Sequence, residues 1–276
     1  MLRYDAAWLL EWYRDEAPVR PGVPYAAIDG EGPYRLVFDE QPFHLKDVTG
    51  VRPQLDYDEP VVRLAKYQAG TLHVQRAAFS DGVKSNYAMD GPGELREVLR
   101  SEYGARLPPW SDTRLSNGIG TTVVVFDAED RPYLPRRAPG QSVFPGGYHC
   151  TASGETVWTG ARDFDGLFTA HICRELEEET GLMRADLEWI RPLAFCREFL
   201  RAGKPQFFFG ARTRLNADAL AERRRTAIAA QLARGRQEIL DQVLTEITPT
   251  TLRECTIECV ANLALVGRAI GLREPP

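Results

Sequence analysis

Apolar and charged residues alternate at helical spacing over residues 4 to 14, with Trp8, Leu9 and Trp12 on or near one face, which predicts a short amphipathic helix. Pro18, Pro21 and Pro24 then exclude regular structure. Residues 34 to 38 read as a strand and 42 to 57 as irregular. Two β-rich runs, 61 to 67 and 71 to 79, flank Ala69-Gly70 and predict a hairpin. An Asp81-Gly82 turn then leads through a polar loop containing Lys84, Ser85, Asn86 and Tyr87 into a helix over 94 to 103. The Pro-rich segment at 106 to 110 marks a boundary between a domain of residues 1–110 and one of 111–276.

Beyond that boundary, a long apolar run from Gly118 and a second strand over 131 to 137 are separated by a turn at Glu129-Asp130. Residues 187 to 195 and 206 to 214 predict two more strands joined by Gly203-Lys204-Pro205, the second buried because it carries Phe207, Phe208 and Phe209. The Ala-, Arg- and Gln-rich stretch 217 to 244 predicts a helix with Arg223, Arg224 and Arg225 on its wet face. A final helix is expected over 251 to 270, opened by Pro249-Thr250-Thr251 and stopped at Gly271.

One helix looks electrostatically unfavourable. In the segment Arg174-Glu175-Leu176-Glu177-Glu178-Glu179-Thr180-Gly181, the spacing brings Glu175, Glu178 and Glu179 onto one face, with Arg174 one turn before Glu178. These like charges sit in the last turns before Gly181, a C-cap candidate, where the macrodipole also disfavours anions. Each penalty is a few tenths of a kcal/mol to about 1 kcal/mol. A bound divalent cation would remove both, and carboxylate oxygens suit hard Mg²⁺ or Mn²⁺ better than zinc.

This segment resembles the second half of the Nudix box: Arg-Glu, an apolar residue, any residue, Glu-Glu, any residue, Gly, an apolar residue. The first half has two registers. One starts at Gly160 and puts Gly166 where the family has Glu. The other, preferred because it gives the Phe144-Pro145-Gly146-Gly147 turn a purpose, uses that turn with Gly154-Glu155 and makes residues 158 to 165 an insertion before a helix capped by Asp163 or Asp165. The resemblance implies an α/β Nudix sandwich, a mixed central sheet between helices, plus a smaller N-terminal α+β domain.

For the site, the resemblance implies a metal held by Glu175, Glu178 and Glu179, with Glu155 added in the second register and Gly147 letting the backbone approach. Glu175 joins the metal or acts as base, and Arg174 orients the carboxylates. Arg136 or Arg137, at the end of a strand near the Gly turn, offers a planar fork for a diphosphate. Tyr148 beside that turn, Trp158 in the insertion and Glu198 near the next loop are further candidates on the substrate side. The N-terminal part, with Arg136-Arg137 and Phe-Pro-Gly-Gly, is similar to an extended subgroup hydrolysing UDP-glucose and UDP-galactose. That implies cleavage of a nucleoside diphosphate sugar to nucleoside monophosphate and sugar 1-phosphate. Nucleoside triphosphates, ADP-ribose and a specialised metabolite are the alternatives, as is a nucleotide-binding protein without turnover.

Composition changes this picture little. The net charge of -5 argues against a general nucleic-acid binder, which needs a basic face. Asp5, Glu11 and Arg14 interrupt the first apolar run short of a signal or membrane segment, so no membrane partner and a cytoplasmic location are expected. Five scattered cysteines suit reduced thiols, with Cys255 and Cys259 packing on one helix face. His149 and His171 lack zinc-spaced partners and are expected to be structural or to face substrate. The N-terminal domain either completes the substrate pocket or forms a homodimer interface.

Overall fold

The computed structural model describes residues 18–20, 23–46, 58–90, 94–140 and 145–269. The helix expected over residues 4 to 14, most of the irregular segment and Phe144 lie outside them. The fold is α/β with a mixed central sheet. Among the described residues the strands β1 (Tyr25–Asp29) to β10 (Ile239–Leu244) form two sheets. With β5 (Gly120–Phe126), β6 (Pro132–Arg137), β7 (Ala152–Glu155), β8 (Leu187–Glu198) and β9 (Lys204–Thr213), the larger runs β1-β8-β9-β5-β6-β10, with β7 also on β5. No described helix is long and apolar enough to cross a membrane.

The chain divides into two compact units that interleave in sequence: Met1–Gly120 with Glu155–Leu167 and Ala194–Phe207, and Thr121–Gly154 with Phe168–Leu193 and Phe208–Pro276. In the first, β2 (Arg35–Asp39) runs parallel to β4 (Thr71–Ala78), and β4 pairs antiparallel with β3 (Pro60–Gln68). The expected hairpin turn is present, with positive φ at Ala69 and Gly70. β1 was not foreseen. It starts directly after Pro24 and pairs with the Phe195 to Glu198 end of β8 (Leu187–Glu198). Helix α2 (Glu94–Tyr103) has the expected bounds and buries Leu95 and Leu99.

Two expected turns are misplaced. Asp81-Gly82 lies inside helix α1 (Phe79–Lys84), because Asp81 folds back to accept from the Ala78 N–H at the helix start. The reversal after β8 occurs at Phe199–Arg201 and at Ala202 and Gly203, both with positive φ, while Lys204 and Pro205 already belong to β9 (Lys204–Thr213).

In the second unit β6 (Pro132–Arg137) pairs antiparallel with β5 and β10. The stretch read as one helix to residue 244 is helix α4 (Ala217–Ala233) followed by β10. Gly235, at φ +71, ends the helical path, and Ile239 and Val243 pair with Arg137 and Pro135. Arg224 is not on a wet face: it is 8% exposed and joins Asp241 and the Tyr133 hydroxyl. The last helix is also two, α5 (Pro249–Leu252) and α6 (Ile257–Ala269). Thr248 caps the first by accepting from Thr251, and Thr256 caps the second by accepting from Cys259. A core of Val124, Phe126, Leu134, Cys150, Leu193, Cys259, Leu263 and Val266 binds β5, β6 and α6 together, each fully buried large side chain contributing about 1.5–3 kcal/mol.

Candidate functional site

Helix α3 (Ala170–Thr180) follows a π-helical turn over Asp165–Thr169. Asp163, one of the two expected caps, accepts from Gly166 N–H at 2.8 Å. Ile172 and Leu176 point into the core and are fully buried. Thr180 returns its hydroxyl to the Leu176 carbonyl, and Gly181, in the left-handed conformation at φ +74, caps the C-terminus. The apolar face thus fixes the helix roll and leaves the glutamates on the opposite faces.

Their environments differ. Glu178 is 56% exposed. Glu175 is 16% exposed, and burial pushes its carboxyl up to about 7, against the hydrogen bond and charge of Arg174. Glu179 is 3% exposed and raised well above the usual range by burial, then by the charges of Glu238 and Glu175. Arg137 and the Ser153 N–H, which donates to Glu179 Oε1 at 3.1 Å, act in the other direction. Arg174 donates to Glu175 Oε1 and contacts His171 Nδ1, both at 3.1 Å, with Glu178 Oε1 3.6 Å from its Nε. It thus contacts Glu175 and Glu178 at once. His171 lies 3.6 Å from Glu175, but burial and then Arg174 lower its pKa to about 3, so the two do not form an ion pair near neutrality.

Gly154 makes room for Glu175. A Cβ on it would fall 2.8 Å from Glu175 Cδ and 3.0 Å from Oε2. Gly154→Ala is expected to displace that carboxylate, the flexible end of a side chain, so that Glu175 loses part of its burial and metal-free stability changes by less than about 1 kcal/mol while its dependence on pH weakens, checked by urea unfolding as a function of pH. An unchanged pH dependence would mean that Glu175 does not lie against Gly154.

The Gly turn is anchored by its neighbours. Arg137 N–H donates to the Gly147 carbonyl at 2.9 Å, and Arg136 Nε to that of Gly146 at 2.8 Å. Arg136 also donates to Gln242 and lies over the Tyr148 ring, 5.6 Å from its centroid. Its fork therefore links the turn to β10. Arg137, whose charge reaches both Glu179 and His149, is the better placed of the two for an anion near the carboxylates.

Sequence reasoning missed Glu238. It lies just before β10, half-buried, and its charge is felt by both Glu175 and Glu179. Gln231 holds it there: the side-chain amide donates to the Glu178 and Glu179 carbonyls at 3.0 and 3.2 Å and accepts from Glu238 N–H at 2.9 Å. No local signal marked either residue, since both fell in a stretch read as one helix.

The other candidates belong to the first unit. Glu155 accepts from the Tyr87 hydroxyl at 2.8 Å, in a slot that exists because Gly118 has no Cβ; one would meet Glu155 Oε1 at 1.7 Å. Arg201 and Lys204 lie over the Tyr87 ring, 4.5 and 5.6 Å from its centroid. Glu198, expected as a surface charge or a substrate contact, is 1% exposed and pairs with Arg201 at 3.5 Å. Ser85 and Asn86 are buried staples: Ser85 Oγ accepts from Ser116 N–H, while Asn86 accepts from Asn117 N–H and donates to the Arg201 carbonyl. Trp158 packs edge-on against Phe38 with centroids 5.7 Å apart.

Among the described residues, no three His, Cys, Asp or Glu side chains converge tightly enough to enclose a metal. The donor chemistry nevertheless fits a hard divalent cation. Glu175, Glu179 and Glu238 repel one another, and the buried Glu179 carboxylate faces more negative than positive neighbours.

No protein-family model matches the chain, and no curated protein matches it. Among solved structures it is similar to DR0079 from Deinococcus radiodurans, at 18% identity over 45% of this chain and 76% of that one. The TM-score is 0.28, too low to carry an argument about fold or function.

Proposed function

We propose that the protein is a Nudix-type, metal-dependent hydrolase of a diphosphate linkage in a nucleoside diphosphate derivative, a nucleotide sugar such as UDP-glucose before others. The observation that carries it is the carboxylate face of α3, where Glu175 and Glu179 are buried near Glu238 although burial and like charge both disfavour their ionised forms. The Arg174 to Leu182 segment, with every position of the resemblance filled, supports the same chemistry.

Glu175, Glu178 and Glu179 would hold Mg²⁺ or Mn²⁺, with Glu238 adding to the negative field. When bound, such an ion neutralises charge on phosphate oxygens and makes water a better nucleophile. Arg174 would keep Glu175 oriented, and the Gly146-Gly147 turn, held by Arg136 and Arg137, would let backbone approach the diphosphate. Glu175 either joins the ion or takes the proton from the attacking water. That water forms the new P–O bond, the anhydride P–O bond breaks, and the leaving phosphate carries away the electron pair. The products are a nucleoside monophosphate and a sugar 1-phosphate. A cytoplasmic location is part of the same proposal.

The test is turnover with Mg²⁺ on nucleoside diphosphate sugars, ADP-ribose and nucleoside triphosphates, for wild type and Glu178→Gln. Activity on one class that disappears in the variant is expected. Folded protein that binds nucleotide equally well with and without Mg²⁺ and forms no product would overturn the enzyme in favour of a binding protein.

A further inference from the structure

Ser153 N–H is the backbone donor to the buried Glu179 carboxylate, and what fixes Ser153 lies on another element. Its hydroxyl is 3.0 Å from His149 Nε2, and His149 Nδ1 is 2.6 Å from Thr256 Oγ1. Thr256 caps helix α6 by accepting from Cys259 N–H at 3.2 Å. The backbone is fastened at the same place: Thr256 N–H donates to the Tyr148 carbonyl at 2.7 Å, and Tyr148 N–H to that of Glu254 at 3.0 Å. A continuous line of hydrogen bonds thus runs from the first turn of α6 to Glu179.

Both ends of the His149 ring are engaged, and the residue is 3% exposed. A neutral imidazole has one donor and one acceptor, so rotating this buried ring would break both bonds. The groups facing it are Thr256, Ser153, Glu258 with Oε2 at 3.7 Å, and the charge of Arg137. The ring therefore works as a rigid spacer between the α6 cap and Ser153.

We infer that Thr256 and His149 are positioning residues that set the Ser153 amide against Glu179, so that the first turn of α6 controls how tightly the carboxylates of α3 hold a divalent cation. The inference rests on the metal site of the proposed function. Neither residue touches the cation or substrate; each acts through Ser153.

The experiment is Mn²⁺ titration of the substrate-free protein, followed by electron paramagnetic resonance. Thr256→Val and His149→Phe are each expected to weaken Mn²⁺ binding about 10-fold or more, and Thr256→Ser to restore it. His149→Phe leaves the Thr256–Cys259 cap in place, and Thr248→Val removes the cap of α5 without touching the line. Thr248→Val should therefore lower the melting temperature while leaving Mn²⁺ affinity unchanged. Wild-type affinity in folded His149→Phe would overturn the inference, as would equal weakening by Thr248→Val, which would reduce the effect to general destabilisation. Wild type that binds no Mn²⁺ removes the metal reading and this inference with it, whereas a failed inference alone shows wild-type binding that the variants share.

Discussion

Glu175→Gln is expected to make the metal-free protein more stable at pH 8 while lowering Mg²⁺-supported turnover by roughly 10²- to 10⁴-fold. The carboxyl of Glu175 is pushed from an ordinary 4.5 to about 7 in the folded chain, chiefly by burial. The unfolded state therefore releases its proton first as pH rises. The stability associated with the protonated form is fully present below about 4.5 and is lost progressively up to about 7. The shift corresponds to about 3 kcal/mol at pH 8, which a neutral amide of the same shape would recover, less the bond from Arg174. At pH 4 the substitution should change stability little. Urea unfolding of both proteins at pH 4 and pH 8, without and with Mg²⁺, checks it. Wild type should gain stability from Mg²⁺ at pH 8, and the variant should gain much less. Equal metal-free stability at pH 8 would show that Glu175 ionises without penalty, which would remove the main physical support for a cation site.

Gly181→Ala is expected to destabilise the protein by about 2–4 kcal/mol. The left-handed conformation at φ +74 disfavours alanine by about 1 kcal/mol. The added Cβ would also fall 2.6 Å from the Arg223 carbonyl oxygen and 3.1 Å from its carbon. These are backbone atoms of α4, so relief requires the helix to move, at about 1–3 kcal/mol. Moving α4 also moves Gln231, which holds the Glu178 and Glu179 carbonyls and the Glu238 amide. Chemical denaturation measures the first effect, and the Mn²⁺ affinity of the folded variant should fall with it. A loss below about 0.5 kcal/mol would mean that α3 and α4 do not approach closely at this point.

Much of the candidate site was legible because its signals are local. The 3.6-residue spacing put Glu175, Glu178 and Glu179 in the last turns of one helix, and Gly181 marked the end of that helix through its need for positive φ. Asp163 as a cap and the Arg174–Glu175 contact follow from short-range geometry as well. Glu238 was not legible: its role depends on β10 turning back along β6, about 100 residues earlier, and on the Gln231 amide bridging to the end of α3, about 50 residues earlier. The same cause undid the long helix to residue 244, where helix-favouring composition yielded to the free edge of β6. Arg136 shows what position alone leaves out. A guanidinium near a Gly turn reads as a phosphate contact, and in the fold its Nε goes to the Gly146 carbonyl and another nitrogen to Gln242 on β10.

The sequence by itself determined the elements whose signals fit within one turn or one hairpin: the β3–β4 pair, helix α2, the buried strand β5 and the carboxylate helix with its glycine cap. Side-chain spacing and backbone freedom are properties of neighbouring residues, so no distant partner is needed to read them. Only the tertiary structure decided which glutamates are buried, that the charge of Arg137 acts on Glu179, and what fixes their donors. Glu178 and Glu179 are adjacent in sequence, yet one is largely in solvent and the other nearly sealed from it. That difference comes from packing around α3, and with it comes the field of Glu238, Arg137 and Ser153 that sets the chemistry of the carboxylate.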